Sequence, residues 1–193
     1  FTIDTILDKA GTKGTGSWTT IAASEMGIAI PTITSALFAR YQSAHKKQRV
    51  QAQKKFQFEE SFFYPDFDRL KKVYRISRII NHHQGFQLIQ EASKLNQWNI
   101  DIQELAAVWT NGCIIRSKLM NHISQLNLGE GGLLMEDAAY PVIKEGLADM
   151  KKIISDAALS GIPIPCISAS YQYLLQFTQE HGTTNLIQAQ RGC

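Results

Sequence analysis

The sequence contains few cysteines and no long apolar run. Its three cysteines are Cys113, Cys166 and Cys193, and no two of them have the Cys-x-x-Cys spacing of a metal knuckle or redox pair. An odd count fits poorly with a disulfide framework, so we expect a reducing, cytoplasmic setting. No apolar stretch approaches the roughly 20 residues that cross a bilayer, and the first residues do not resemble a signal peptide. We therefore expect no membrane association.

The chain also lacks an initiator methionine and an excess of charge of one sign. It begins at Phe1, which favours a piece cut from a longer protein. Its 20 basic and 17 acidic residues give a net charge of +3, too small to indicate nucleic-acid binding. A local basic cluster at a small anionic ligand would agree with it. With 193 residues, 44% of them hydrophobic, the chain can bury one core, and we expect a single domain over residues 1–193.

Signals for β-strands are missing too, because no two alternating segments are joined by an Asn-Gly or Asp-Gly turn. Apolar residues instead recur at three- and four-residue steps, which is typical of packed helices. The fold class we expect is all-α, a multi-helix domain. The helices are predicted to begin near Trp18, Pro31, Pro65, Asp101 and Pro165, with a further one from Ile143 to Ala158. Exposed connections are predicted from Gln51 to Tyr64 and from Asn127 to Met135.

A glycine-rich segment, Gly11–Gly16, precedes the first predicted helix. Glycines let the backbone turn tightly and approach a ligand closely. Lys13 and Thr15 project from this segment, and a helix amino end should follow, where free N–H groups favour anions. The segment therefore suits a phosphate or a carboxylate, although for so short a motif a simple connector with a solvated lysine is the more common case.

Two arginines are further candidates for binding an anion. Arg40 lies three residues after Leu37, so we expect it on the inward side of its helix, where its planar fork suits a phosphate. Arg191 lies close to the end of the sequence. Each arginine alone is more commonly a solvated or salt-bridged surface residue.

The order of several motifs carries more information than any one of them. The sequence has Lys-Gly-Thr-Gly-x-Trp-Thr from Lys13, Phe-Ala-Arg ending at Arg40, and Gln84-Gly85-Phe86. Gly-Cys-Ile-Ile-Arg-Ser follows at 112–117, Gly-Ile-Pro-x-Pro-Cys at 161–166 and Asn-Leu-Ile-Gln-Ala-Gln-Arg at 185–191. In this order the motifs closely resemble 6-phosphogluconate dehydrogenase, over essentially the whole chain but less than half of that family's polypeptide.

The resemblance implies a function and a set of site residues. Members of the family oxidise and decarboxylate 6-phosphogluconate to ribulose 5-phosphate in the pentose phosphate pathway, with NADP held by an amino-terminal Rossmann domain that this chain lacks. Lys13 and Thr15 match substrate-contacting positions, and Arg40 matches an arginine that pairs with the substrate phosphate. Arg191 matches the arginine that completes the partner subunit's site in a homodimer. The family's catalytic lysine and glutamate precede Phe1, so we assign no catalytic residue and expect the fragment alone to be inactive.

The sequence departs from the family at some positions. Ser17 stands where lysine is common, which removes a positive charge, and Gly192-Cys193 replaces the usual Asp-Tyr. None of the departures changes Lys13, Arg40 or Arg191. The residues that would bind the cofactor, and the choice between NADP and NAD, are unknown from this sequence.

Other residues favour structural interpretations. His82 and His83 are adjacent and point to different sides of a helix, so we predict no metal site. Cys113 is predicted to be a small buried side chain, and Trp18, Trp98 and Trp109 to be core or interface residues.

Two other functions stay open at this point. One is a related β-hydroxyacid dehydrogenase with another substrate. Turnover that depends on a phosphate group of the substrate would argue against this alternative. The other is a non-catalytic helical dimerisation module. A Gly-x-Gly-x-x-Gly turn encoded upstream of Phe1 would favour an enzyme.

Overall fold

A computed structural model describes residues 5–58, 61, 63–129 and 131–191 of the chain. These residues form helices joined by short loops, and no strand occurs among them, which confirms the all-α prediction. Residues 1–4, Gly192 and Cys193 lie outside the described residues. The α-helices are α1 (Thr15–Met26), α2 (Pro31–Ser43), α3 (Lys46–Phe56), α4 (Phe67–Asn96), α5 (Ile102–Thr110), α6 (Lys118–Ile123), α7 (Ala139–Leu159), α8 (Pro165–Thr178) and α9 (Thr184–Arg191). A short 3-10 helix, Gly132–Met135, precedes α7.

Several helix ends follow from local sequence chemistry. Asp66 caps α4 by accepting a hydrogen bond from the Asp68 N–H, and Asp101 caps α5 in the same way. Proline occupies the first position of α2 and of α8, where its missing N–H costs nothing. Gly27 ends α1 in the left-handed conformation, at φ 69°.

Two of the predicted boundaries are wrong. Helix α1 begins at Thr15 rather than Trp18, because the left-handed turn comes at Gly14 and Gly16 is already helical. The segment from Gln51 to Tyr64 is helical as far as Phe56, within a separate helix α3 that has no buried residue. Lys, Gln, Arg and Ala are strong helix formers, whereas the prediction relied on apolar spacing, which α3 lacks.

The predicted connection from Asn127 to Met135 is also wrong in part. Gly132, Leu133 and Leu134 are buried in the 3-10 helix, which packs against α4. Gly132 has φ +61°, and a Cβ there would lie 2.4 Å from Gln87 Nε2. The absence of a side chain at this position lets the two leucines reach the core.

The main core surrounds α4, which packs against α7, α8 and the 3-10 helix. Its fully buried apolar side chains lie on one side of α4 and on the helices facing it, and include Val73, Ile76, Ile80, Phe86, Met120, Ile123 and Met150. A second, smaller cluster of Ala23, Ile30 and Leu88 holds α1 and α2 against α4. The glycine-rich segment therefore projects from a helix that is anchored to the rest of the domain.

The three tryptophans differ in burial. Trp18 and Trp98 are 68% and 60% exposed, so neither belongs to the core, and an interface role for them stays a prediction. Trp109 does pack on the core, stacking on Phe86 with ring centroids 5.7 Å apart. Cys113 is half-buried rather than buried.

A buried polar network joins α2, α4 and α8. Gln84 accepts a hydrogen bond from the Thr32 N–H at 3.0 Å and donates one to the Thr32 hydroxyl at 3.1 Å. The Thr32 and Ser170 hydroxyls are 3.0 Å apart, and the Ser170 hydroxyl also donates to the Cys166 carbonyl. Because every member has a partner, the network fixes the first turn of α2 against the core.

Candidate anion-binding site

The glycine-rich segment makes a tight turn into α1. Gly14 has φ +94°, a conformation that side chains rarely adopt, and its N–H donates to the Thr12 hydroxyl at 3.2 Å. No side chain caps α1, so its first-turn N–H groups, with Thr15 as the first helical residue, are available to a ligand. Lys13 and Thr15 are both exposed next to this helix end.

Arg40 lies against the same segment. Its Nη1 donates to the Gly11 carbonyl at 3.0 Å, two residues from Lys13. The Ser43 hydroxyl donates to the Arg40 carbonyl at 2.7 Å and accepts from the Ala10 N–H at 2.9 Å. The carboxyl end of α2 therefore holds the segment through side chains at two positions.

The expected inward orientation of Arg40 is wrong. Leu37 is buried, but Ala36 and Arg40 are exposed. Three residues along an α-helix turn a side chain roughly 60° from the starting direction, which takes Arg40 off the buried side. The exposed guanidinium contacts the glycine-rich segment directly, through its hydrogen bond to Gly11.

The sequence did not predict the residues that fix the segment around Asp8, which precedes the glycines. Lys46 and Arg49, both on α3, form ion pairs with Asp8 at 2.7 and 3.0 Å. Arg49 also donates to the Ser43 carbonyl at 3.2 Å, so it ties α2 and α3 to this segment. Hydrogen bonds from Lys46 and then Arg49 lower the pKa of Asp8. Nothing in the sequence indicated that charged residues 38 and 41 positions apart would pair.

The cations here differ in how they are neutralised. Asp8 compensates Lys46 and Arg49. Neither Lys13 nor Arg40 forms an ion pair with any carboxylate in the described part of the chain, and only one Arg40 N–H is used by Gly11. Two uncompensated cations beside an uncapped helix end create a positive region that suits a small anion.

Arg191 is not part of this arrangement within one chain. It is the last residue of α9, a helix with no buried residue, and no hydrogen bond or ion pair of the described residues joins it to Lys13 or Arg40. Two apolar side chains of α9, Leu186 and Ile187, are 64% and 49% exposed. The structure thus joins Arg40 to the glycine-rich segment that bears Lys13 and Thr15, and no printed contact of the described residues links Arg191 to it.

The described residues give no sign of a metal centre or a membrane helix. No group of three or more His, Cys, Asp and Glu side chains converges in that part of the chain. None of its helices combines the length and the apolar character needed to cross a bilayer. The fold and site together define an all-helical domain that offers cationic side chains and a free helix end to an anionic ligand.

Comparisons with known proteins identify the family. The family model described as 6-phosphogluconate dehydrogenase, C-terminal domain, matches residues 1–193. The chain is 38% identical to the decarboxylating 6-phosphogluconate dehydrogenase of Haemophilus ducreyi, covering 98% of this chain and 40% of that protein. It is 34% identical to the Lactococcus lactis enzyme, covering 99% of this chain and 42% of that one. The chain belongs to the 6-phosphogluconate dehydrogenase C-terminal domain family.

A solved structure agrees with this assignment. Plasmodium falciparum 6-phosphogluconate dehydrogenase, described in its apo form, with its cofactor NADP+ and with its substrate 6-phosphogluconate, superposes with a TM-score of 0.92 at 34% identity. The match covers 98% of this chain and 42% of that one. The chain therefore spans about two fifths of the length of these relatives, and the resemblance inferred from the motifs is confirmed.

Proposed function

We propose that this chain is the substrate-binding and dimer-forming part of an NADP-dependent 6-phosphogluconate dehydrogenase, which converts 6-phosphogluconate to ribulose 5-phosphate. The observation that carries the proposal is the Arg40–Gly11 contact, which places a guanidinium beside the segment that bears Lys13. The relatives' names support the reaction class. Their greater length agrees with a single helical domain here, residues 1–193, and a cofactor-binding Rossmann domain elsewhere in the protein.

Lys13, Thr15 and Arg40 would anchor the sugar phosphate. A phosphate dianion needs several cationic or N–H donors when it leaves water. Lys13 and Arg40 supply charge, Thr15 supplies a hydroxyl, and the first turn of α1 supplies N–H groups. These contacts hold the reacting carbons in place without taking part in bond breaking. NADP would accept the hydride when bound, and we assign no described residue to it.

The proposed homodimer explains the position of Arg191. An arginine at the end of an exposed helix can reach a site in a second copy, where it would add a further positive charge. The exposed Leu186 and Ile187 on the same helix support burial of α9 against a partner. The 6-phosphogluconate site would then be complete only in the dimer, which we expect in the cytoplasm.

The proposal is tested by measuring NADP reduction by the complete gene product with 6-phosphogluconate and with gluconate. We expect efficient turnover only with the phosphorylated substrate, because Lys13 and Arg40 have no role without the phosphate. Equal kcat/KM values for the two would contradict the proposal and favour a related β-hydroxyacid dehydrogenase. The absence of any dehydrogenase activity would favour a helical dimerisation module. The isolated 193-residue chain should not turn over either substrate.

A further inference from the structure

A second positively charged surface lies between α4, α6 and the start of α7. It surrounds a cavity of about 610 Å³, within the usual size range of small-molecule sites. The cavity does not include Lys13, Thr15 or Arg40. Its floor consists of aliphatic side chains, namely Ile79, Leu119, Leu126, Leu133, Ala139 and Val142.

The rim of this cavity is cationic on two sides. Lys71, Arg75 and Arg78 line it from α4, and Lys118 lines it from α6, with His122 as a further polar neighbour. The three α4 residues follow each other at steps of four and three, so they share one side of that helix. Like charges at this spacing destabilise a helix unless something compensates them.

No ion pair of the described residues neutralises them. Arg69 and Lys72, on the neighbouring side of α4, form ion pairs with Asp149 and Glu145 of α7. By contrast, none of the cavity's lysines and arginines has an ion pair with a described carboxylate. One carboxylate, that of Glu136, also lines the cavity. Four lysine and arginine side chains outnumber it, so the rim keeps a net positive charge.

Arg78 also has a defined position at the rim. Its guanidinium lies over the Tyr74 ring, 5.7 Å from the ring centroid, so the cation is held by the aromatic face rather than by an anion. A guanidinium held in this way keeps its N–H groups available for a carboxylate or phosphate. An aliphatic floor beneath several such donors suits a ligand with an apolar body and an anionic end.

We propose that this cavity is a ligand site for a small amphipathic anion, an aliphatic chain that ends in a carboxylate or a phosphate. The aliphatic part of the ligand would cover Leu119, Leu126 and Leu133. Its charged end would contact Arg75, Arg78 and Lys118. Both the shape of the floor and the sign of the rim are needed for this ligand. An inorganic anion would use only the rim, and an apolar cation would be repelled by it.

The proposal is tested with octanoate and octyl phosphate as probes on the complete gene product, by saturation-transfer NMR and calorimetry. We expect Kd values on the order of a millimolar or below, given about ten heavy atoms in octanoate. Octylammonium should not bind at this cavity, and inorganic phosphate should bind at least about tenfold more weakly than octyl phosphate. The stronger of the two octyl probes identifies the preferred anionic group.

Two kinds of variant separate the contributions of charge and shape. R75A/R78A should weaken binding of the octyl probes by about tenfold or more. Ala138→Trp fills the mouth of the cavity from an exposed position, leaves the charges unchanged and should abolish binding. The matched control is Lys151→Ala, because Lys151 is exposed on α7 but does not line the cavity. Circular dichroism and thermal melting of each variant verify that it is folded.

Three results would overturn the proposal. The first is no binding of either octyl probe by the folded wild-type protein. The second is undiminished binding by R75A/R78A or by Ala138→Trp. The third is a change of oligomeric mass in R75A/R78A together with no probe binding by wild type, which would mean that a protein surface covers the cavity.

Discussion

The Arg40 guanidinium donates a 3.0 Å hydrogen bond to the carbonyl oxygen of Gly11, across 29 positions of sequence. This bond joins the carboxyl end of α2 to the glycine-rich segment before α1. It places the guanidinium of Arg40 against a residue two positions before Lys13 and four before the first residue of α1. In the proposed function, this contact would let Arg40 and Lys13 bind the same substrate phosphate.

Replacing Arg40 should weaken substrate binding more than cofactor binding. In the complete enzyme, Arg40→Ala removes a charge-assisted contact worth about 1.5–3 kcal/mol, so KM for 6-phosphogluconate should rise by about one to two orders of magnitude. Arg40→Lys keeps the charge but loses the planar guanidinium, so its KM for 6-phosphogluconate should lie between those of the wild type and Arg40→Ala. Lys47→Ala, an exposed change on α3, is the control. Steady-state kinetics with a separate measurement of NADP affinity checks this, and an unchanged KM would remove Arg40 from the site.

Mixing two defective variants tests whether Arg191 acts in the partner subunit. Arg40→Ala and Arg191→Ala should each lose activity as homodimers. When they are unfolded and refolded together, half of the sites in each heterodimer combine an intact Arg40 from one chain with an intact Arg191 from the other. Random pairing should therefore restore about a quarter of wild-type activity. No recovery, with heterodimers verified by mass, would show that both arginines serve the same chain's site.

Acidification should destabilise the fold through His83. This side chain is 1% exposed, and burial lowers its pKa to about 4. Leu134 N–H points at Nδ1 and the Tyr173 hydroxyl lies 3.0 Å from Nε2, so Nδ1 accepts and has no room for a proton. Since the unfolded chain takes up the proton near pH 6.5, stability is lost as the pH falls from about 6.5 to 4, by on the order of 3 kcal/mol.

Urea unfolding of wild type and of His83→Gln over that pH range measures the effect. We expect the variant to be less stable than the wild type at neutral pH. The loss of unfolding free energy on acidification that is due to His83 should be absent from it. Burial also lowers the pKa of His82, so some acid sensitivity should remain in the variant. Identical slopes for the two proteins would assign the acid sensitivity to other groups.

Two glycines inside helices should respond oppositely to substitution. A Cβ at Gly146 would lie 2.8 Å from Ile76 Cδ1 and 3.2 Å from Lys72 Cβ, where α7 crosses α4. Gly146→Val should therefore cost about 1–3 kcal/mol through overpacking. A Cβ at Gly85 meets only Ile33 Cδ1 at 4.0 Å, so Gly85→Ala should be neutral or stabilise by up to about 1 kcal/mol. Chemical denaturation measures the free energy of unfolding of both variants. If Gly146→Val is as stable as the wild type, α4 and α7 can move apart there without a measurable cost.

Predictions from the sequence succeeded where local chemistry decides the structure. Asp66, Asp101, Pro31 and Pro165 mark helix starts because caps and prolines act through neighbouring backbone groups. Predictions failed where a residue's environment comes from distant parts of the chain. Arg40 was expected on the inward side of α2, yet it is exposed and contacts Gly11 instead. Helix α3 was missed because it forms from residue propensity alone, without a buried side.

The sequence by itself determined the all-helical class and the family, because helix periodicity and motif order can be seen without a structure. It also singled out Lys13, Thr15, Arg40 and Arg191 as candidate site residues, which stays a prediction. Only the tertiary structure decided which of these residues lie together. The folded structure places the Arg40 guanidinium against Gly11 and pairs Asp8 with Lys46 and Arg49. It leaves Arg191 on an exposed helix. Those contacts depend on how α1 and α2 pack against α4, and packing is a property of the whole core.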